Sequence, residues 1–264
     1  MNIFLRELKA NRKALIIWSV CMFLLVASGM GKYTVYSSSG QNNELFNNLP
    51  YSLKALLGFG SFDVTTMSGY FAVLFLYIEL VAAIHAVLLG SNIIAKEERD
   101  KTTEFLITKP VSRTTIITSK FLAALVNIFI LNIVSLLSSI VMVDAYNNGK
   151  DISGEIFMFI LSMFIVQLIF LSIGMLLAAF IRKSKVSGSI SVSVLLISFI
   201  ISKITDLTDR LNVLNILSPF KYFSYKDLVA GKGLNFGVFL LSIVLIGIFS
   251  FSTYFFYRKR DLNV

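Results

Sequence analysis

Six stretches of this chain, residues 14–31, 68–94, 121–143, 156–180, 187–202 and 237–257, consist almost wholly of apolar and small side chains. A helix that crosses the hydrocarbon of a bilayer needs roughly 20 mostly apolar residues. The expected fold is therefore an all-α integral membrane protein with six transmembrane helices. The fifth run is the shortest and rich in serine, so its end is expected to bend rather than cross straight. Between the runs lie short polar pieces, the longest at 32–67 and 203–236. Neither is large enough for a domain of its own, and residues 1–264 are read as a single transmembrane domain.

Composition agrees. Hydrophobic residues make up 56% and charged residues 15% of the chain, against about 45–50% and about 25% in soluble domains. The lone cysteine, Cys21, lies inside an apolar run, so no intrachain disulfide framework exists. The net charge of +9 does not form a compact basic domain, and nucleic-acid binding is not expected. It reads instead as a topology signal, because Lys and Arg accumulate near cytoplasmic helix ends. Sixteen of the twenty-four Lys and Arg residues fall on the side of the termini, in 6–13, 96–120, 182–185 and 258–260. Both termini are therefore expected to be cytoplasmic. A basic start before an apolar run also describes a signal peptide, but this run is long and five more follow, so the first span is read as retained. Phe4, Leu5 and Leu8 share a helical face that Arg6, Lys9 and Lys13 avoid, which predicts an N-terminal interfacial helix in contact with lipid.

The segment KEERDKTTEFLITKPVSR, residues 96–113, carries nine ionisable side chains between the second and third runs. At about 2.5–3.5 kcal/mol for each charge at the bilayer centre, inserting it would cost on the order of 20 kcal/mol or more, and Phe105, Leu106 and Ile107 would return only about 0.3–0.6 kcal/mol each. The segment must stay at the aqueous face. A helix here gains the Glu97–Lys101 pair and suffers Asp100 against Glu104. Pro110 ends it, since the residue before proline is pushed out of the helical region. A plain solvated loop and a short polar helix that transmits force from a soluble partner both fit these facts.

The same residues carry a resemblance. Glu98, Thr102, Glu104, Leu106 and the run Pro110, Val111, Ser112, Arg113 resemble the cytoplasmic signature of ABC-2 type transporter permeases, roughly E-x-x-G-T-x-E-x-L-x-x-x-P-V-S-R, with Lys101 where that pattern usually has glycine. The segment 217–223, LSPFKYF, is similar to a stretch between the last two spans of those permeases. The resemblance implies the transmembrane subunit of an ATP-driven exporter in a bacterial plasma membrane. It implies a cytoplasmic coupling helix between spans 2 and 3 that docks on an ATPase, marked here by Glu98, Thr102, Glu104, Phe105, Pro110 and Arg113. It also implies two ABC ATPase subunits as partners and a second permease copy or paralogue, the transport path lying between permeases. ATP and Mg would be bound by the ATPase, because this chain lacks a G-x-x-x-x-G-K-[ST] phosphate loop. No cofactor and no catalytic activity are expected of the chain itself.

Polar residues inside the spans are candidates for the path. Glu79 lies near the middle of the second run, where an ionised carboxylate should face protein or water, or else be protonated. His85 is six residues on, about 120° around the helix. Gln167, with Asn127 and Asn132, adds polar points on the third and fourth runs. Interhelical hydrogen bonds, worth around 1 kcal/mol each, are the simpler reading for the amides and the histidine. Two other functions use the same residues: a proton-coupled carrier built on Glu79 and His85, or a scaffold or sensor that moves nothing. Small residues at Gly174 and Ala178, Ser187 and Ser191, and Ser189 and Ser193 predict close helix contacts. Leu207, Leu211 and Leu214 beside Asp206, Asp209 and Arg210 predict a short amphipathic helix at the outer surface, part of a re-entrant element between spans 5 and 6. The topology is tested by labelling: Lys101 should be protected from a membrane-impermeant amine reagent in intact cells and should react in inverted vesicles.

Overall fold

A computed structural model describes residues 3–38, 50, 53–54, 58, 62–101, 111–147, 149, 151–181 and 183–259. Among these, the regular structure is entirely helical. The long helices are α1 (Ile3–Met30), α3 (Met67–Arg99), α4 (Arg113–Tyr146), α5 (Ser153–Phe180), α6 (Ser184–Leu207) and α8 (Phe236–Lys259), with short helices α2 (Tyr33–Ser38) and α7 (Tyr225–Val229) between them. Six helices are long and apolar enough to cross a membrane. The chain is a multi-pass membrane protein.

The helices outrun the apolar windows because helical geometry continues past the hydrocarbon into polar turns. At about 1.5 Å per residue, the 33 residues of α3 span about 50 Å, well beyond a hydrocarbon core of about 30 Å. The amphipathic opening of the sequence is the first part of α1, which runs unbroken from Ile3 to Met30. Within it Phe4 and Leu8 are partly buried against a core cluster that draws on α3, α4, α5 and Tyr257 of α8, whereas Leu5 is exposed. The predicted amphipathic helix after the fifth span is a 3-10 run, Asp209–Leu217, followed by a 3-10 turn at Pro219–Lys221.

α3 and α5 form the central pair. Their approach is set by two glycines facing each other's backbone: a Cβ on Gly90 would collide with the Leu171 carbonyl, and one on Gly174 with the Val87 carbonyl. With no hydrophobic force between helices in lipid, such close contact supplies the dispersion that holds them together. α6 lies on α3 through Ser187, whose hydroxyl meets Ser91 at 3.1 Å, with Ser191 buried one turn on. Ser189 and Ser193, by contrast, are exposed, and Ser193 donates to its own helix at the Ser189 carbonyl. α1 packs on α4, and α8 covers part of α5.

Polar residues inside the bundle mostly bond helix to helix. Gln167 of α5 accepts from Asn132 of α4 at 2.5 Å and donates to the Ala82 carbonyl of α3 at 3.2 Å, whereas Asn127 bonds its own helix at the Ala123 carbonyl. The described ends of α1 and α8 lie at one end of the bundle, where Thr118 of α4 meets the Tyr254 hydroxyl at 2.8 Å. Gly174→Val should lower stability by about 1–3 kcal/mol, the range for overpacking. Gly247→Val, which has open space around its Cβ position, should leave thermal unfolding in detergent nearly unchanged.

Candidate functional site

Five charges converge at the terminal end of the bundle. Lys120 of α4 and Glu7 of α1 are 0% exposed and Glu97 of α3 only 5%. The Lys120 ammonium donates to Glu97 Oε2 at 2.5 Å and also to the Ile93 carbonyl. Arg6 reaches both acids, Glu97 at 3.3 Å and Glu7 at 3.4 Å, and Lys96 donates to Glu7 at 2.8 Å. Three cations and two carboxylates from α1, α3 and α4 are thus held in one network. Each is expensive to bury alone, and removing one partner strands the others.

The two helices that emerge from this cluster have defined ends. α3 stops at Arg99, Asp100 caps it with its N–H on the Lys96 carbonyl at 2.8 Å, and Lys101 follows at φ +55° in the left-handed region. α4 begins at Arg113, where Ser112 Oγ accepts from the Thr115 N–H at 3.1 Å, an N-cap that satisfies a donor the first turn leaves open. Arg113 donates to the Arg258 carbonyl at 3.0 Å and so ties the start of α4 to the end of α8.

At the far end lies a cavity of about 370 Å³ between α3, α6 and the 218–226 segment. Glu79 lines it and accepts a hydrogen bond from the Tyr225 hydroxyl of α7. Burial, reinforced by the charge of Glu79, pushes the Tyr225 phenol well above its usual range, which keeps it a donor. Tyr225 is wedged against Phe75 and Phe159, with ring centroids 5.5 Å and 5.6 Å away. Asp206, also in the lining, accepts from Lys203 at 3.2 Å and also from Lys221. Ser218, Phe220 and Phe223 are buried, so the segment after α6 turns back into the bundle.

A family model described as ABC-2 family transporter protein matches residues 1–262. The chain belongs to the ABC-2 transporter family. No curated protein matches it significantly. It is a transmembrane permease component of an ABC transporter, and such components are generally not themselves catalytic.

Membership gives the helix ends a physical meaning. The glycine that ABC-2 permeases usually carry at the position of Lys101 is the residue that adopts φ > 0 without steric cost, and Lys101 adopts that conformation here. In the P-V-S-R run, Ser112 is the N-cap and Arg113 the first helical residue. Since α3 ends before Lys101, the expected Glu97–Lys101 helical spacing does not arise, and Glu97 turns inward to Lys120 and Arg6. Glu98 sits in the last turn of α3 and Arg113 at the start of α4. Thr102, Glu104, Phe105 and Pro110 lie outside the described residues.

Of the proposed path residues, Glu79 lines the cavity, while His85 and Gln167 do not. His85 is buried edge-on to Trp18 of α1, centroids 5.3 Å apart, and Gln167 makes the interhelical bonds described above. Sequence reasoning missed Glu7, Lys120, Lys203 and Tyr225. Lys120 left one signal, a single cation followed at once by the apolar run FLAALV.

Two substitutions test this geometry by thermal unfolding in detergent. Lys101→Gly should stabilise by up to about 1 kcal/mol, the left-handed cost of roughly 1–2 kcal/mol less the extra chain entropy that glycine loses on folding, whereas Lys101→Ala should give no gain. Lys120→Met should cost about 3 kcal/mol or more by stranding Glu97, and adding Glu97→Gln should recover much of the loss.

Proposed function

We propose that this permease is driven by two separate ABC ATPase subunits and exports its substrate across the plasma membrane of a bacterium by alternating access. In this reading residues 98–113 form the coupling element. Glu98 and Arg113 flank it on α3 and α4, Thr102, Glu104, Phe105 and Pro110 supply its docking face, and the ATPases bind ATP and Mg. The observation that carries the reading is the family match over residues 1–262. The ion cluster supplies a mechanism. Because Arg6, Glu7, Lys96, Glu97 and Lys120 bind α1, α3 and α4 into one base, a push on the coupling element moves three helices together.

α3 carries the displacement onward. Glu79 precedes Glu97 by 18 positions, about 27 Å along a helix, so a tilt at the docking end changes the packing of Glu79 against Tyr225 at the cavity. A second permease copy or paralogue completes the path. The apolar faces of α1 (Ile16, Ile17, Val20) and α8 (Leu240, Ile248, Phe251) are exposed in the single chain and suit lipid or that second copy. A proton carrier that uses Glu79 and His85 as one relay has less support, since Glu79 is engaged by Tyr225 and His85 packs on Trp18.

Charge reversal at Glu98 and Glu104 should reduce co-purification of the ATPase while leaving membrane insertion intact. In proteoliposomes holding both subunits, flux should require ATP. Undiminished co-purification, or flux by the permease alone under a pH gradient, would contradict the proposal.

A further inference from the structure

Two kinds of side chain line the far-end cavity. Lys203, Lys221 and Lys226 are there with the carboxylates of Asp206 and Glu79, and so are the apolar Phe62, Val73, Leu76, Phe199 and Phe223, the Lys203 ammonium lying 5.6 Å from the Phe199 ring centroid. Asp206 is shared between Lys203 and Lys221, so one carboxylate serves both ammoniums in direct ion-pair contact. Glu79 accepts from Tyr225, and Lys226 forms no ion pair among the described residues. Lysine offers hydrogen-bond donors and no acceptor. A ligand must therefore bring the acceptor oxygens, and an excess of cations in a recess with low-dielectric walls favours those that are anionic. The aromatic side chains in turn favour an apolar body. The volume, about 370 Å³, lies in the range of about 300–1,000 Å³ typical of small-molecule sites.

We propose that this cavity binds an anionic amphiphile, with a phosphate or carboxylate head against Lys221 and Lys226 and an apolar body along Phe199 and Phe223. Such a molecule could be drawn from the bilayer as an acidic lipid or arrive as a transported solute. The ligand's place in transport rests on the permease reading, but binding itself requires no ATPase, so a failure here leaves ATP-driven export untouched and a failure of export leaves the binding result standing.

The test uses the purified full-length chain in neutral detergent with hexyl phosphate as probe. Hexyl phosphate should raise the unfolding temperature saturably, with an affinity at least about tenfold above that of inorganic phosphate or hexyltrimethylammonium. Lys221→Gln should weaken binding about tenfold, the loss expected for one charge-assisted hydrogen bond. Lys226→Gln, at an exposed position, should weaken it measurably without changing the unfolding temperature of the unliganded protein, which keeps the test decisive if the Lys221 variant folds poorly. Native mass spectrometry from mixed phosphatidylglycerol and phosphatidylcholine bilayers separates the sources. Retention of phosphatidylglycerol that is lost in Lys226→Gln, without hexyl phosphate binding, assigns the site to lipid, and hexyl phosphate binding assigns it to a ligand that can enter from solution. Absence of both, equal binding of the cationic probe, or binding indifferent to Lys226→Gln and Lys221→Gln would overturn the proposal.

Discussion

Lys120 is surrounded by protein on every side, and an ammonium in that position is tolerable only while its partners stay in place. That requirement organises the terminal end of the bundle. Glu97 must remain one helical turn past Ile93, so α3 cannot unwind there, and Arg6 must remain over Glu97 and Glu7, so α1 cannot swing away from α3. An apolar contact between the same helices would slide at small cost, because a side chain leaving one methyl group finds another. An ion network in low dielectric has no comparable alternative arrangement, so it behaves as a rivet.

The other fixed point is the crossing of α3 and α5 at Gly90 and Gly174, where backbones touch without side chains between them. Together the two features make α3 the stiff member of the molecule. It is anchored by charge at one end, clasped by a neighbour along its length, and carries Glu79 toward the cavity at the other end. The outer helices are held more loosely. α8 leaves most of its apolar surface uncovered, and α1 does the same through its middle. A bundle with a stiff central helix and lightly packed outer ones is suited to convert a push at the base into rearrangement at its edges, where lipid or another subunit makes up the packing.

The fold was legible because hydrocarbon leaves so few options: 20 apolar residues in a row announce a helix whatever their order. The close contacts foreseen at Gly174 and Ser187 were legible for a related reason, since small residues are what helices need in order to meet. The ion cluster was not, because its members lie 89 and 91 residues apart along the chain and their charges read as ordinary positive-inside flanks. Lys120 and Lys203 fall just outside the apolar runs and so read as aqueous flanks, yet both are buried, Lys120 beside a carboxylate 23 positions away and Lys203 beside Asp206. Tyr225 was invisible for a different reason: an aromatic residue in a loop carries no mark of the glutamate 146 positions away that it will contact.

Lys101 shows where the local rules and the fold disagree. A left-handed lysine costs roughly 1–2 kcal/mol. A cation just beyond the C-terminus of a helix returns about 0.3–1 kcal/mol through the helix dipole, and Lys96 and Arg99 in the last turn of α3 already supply that interaction. The sum stays unfavourable, so stability of this chain alone does not account for lysine at a position where glycine would sit without strain. Local rules are most often broken where a residue answers to function, and Lys101 stands at the point where α3 hands over to the segment between it and α4. What selects its charge is therefore to be sought in whatever meets that surface, rather than in the bundle behind it.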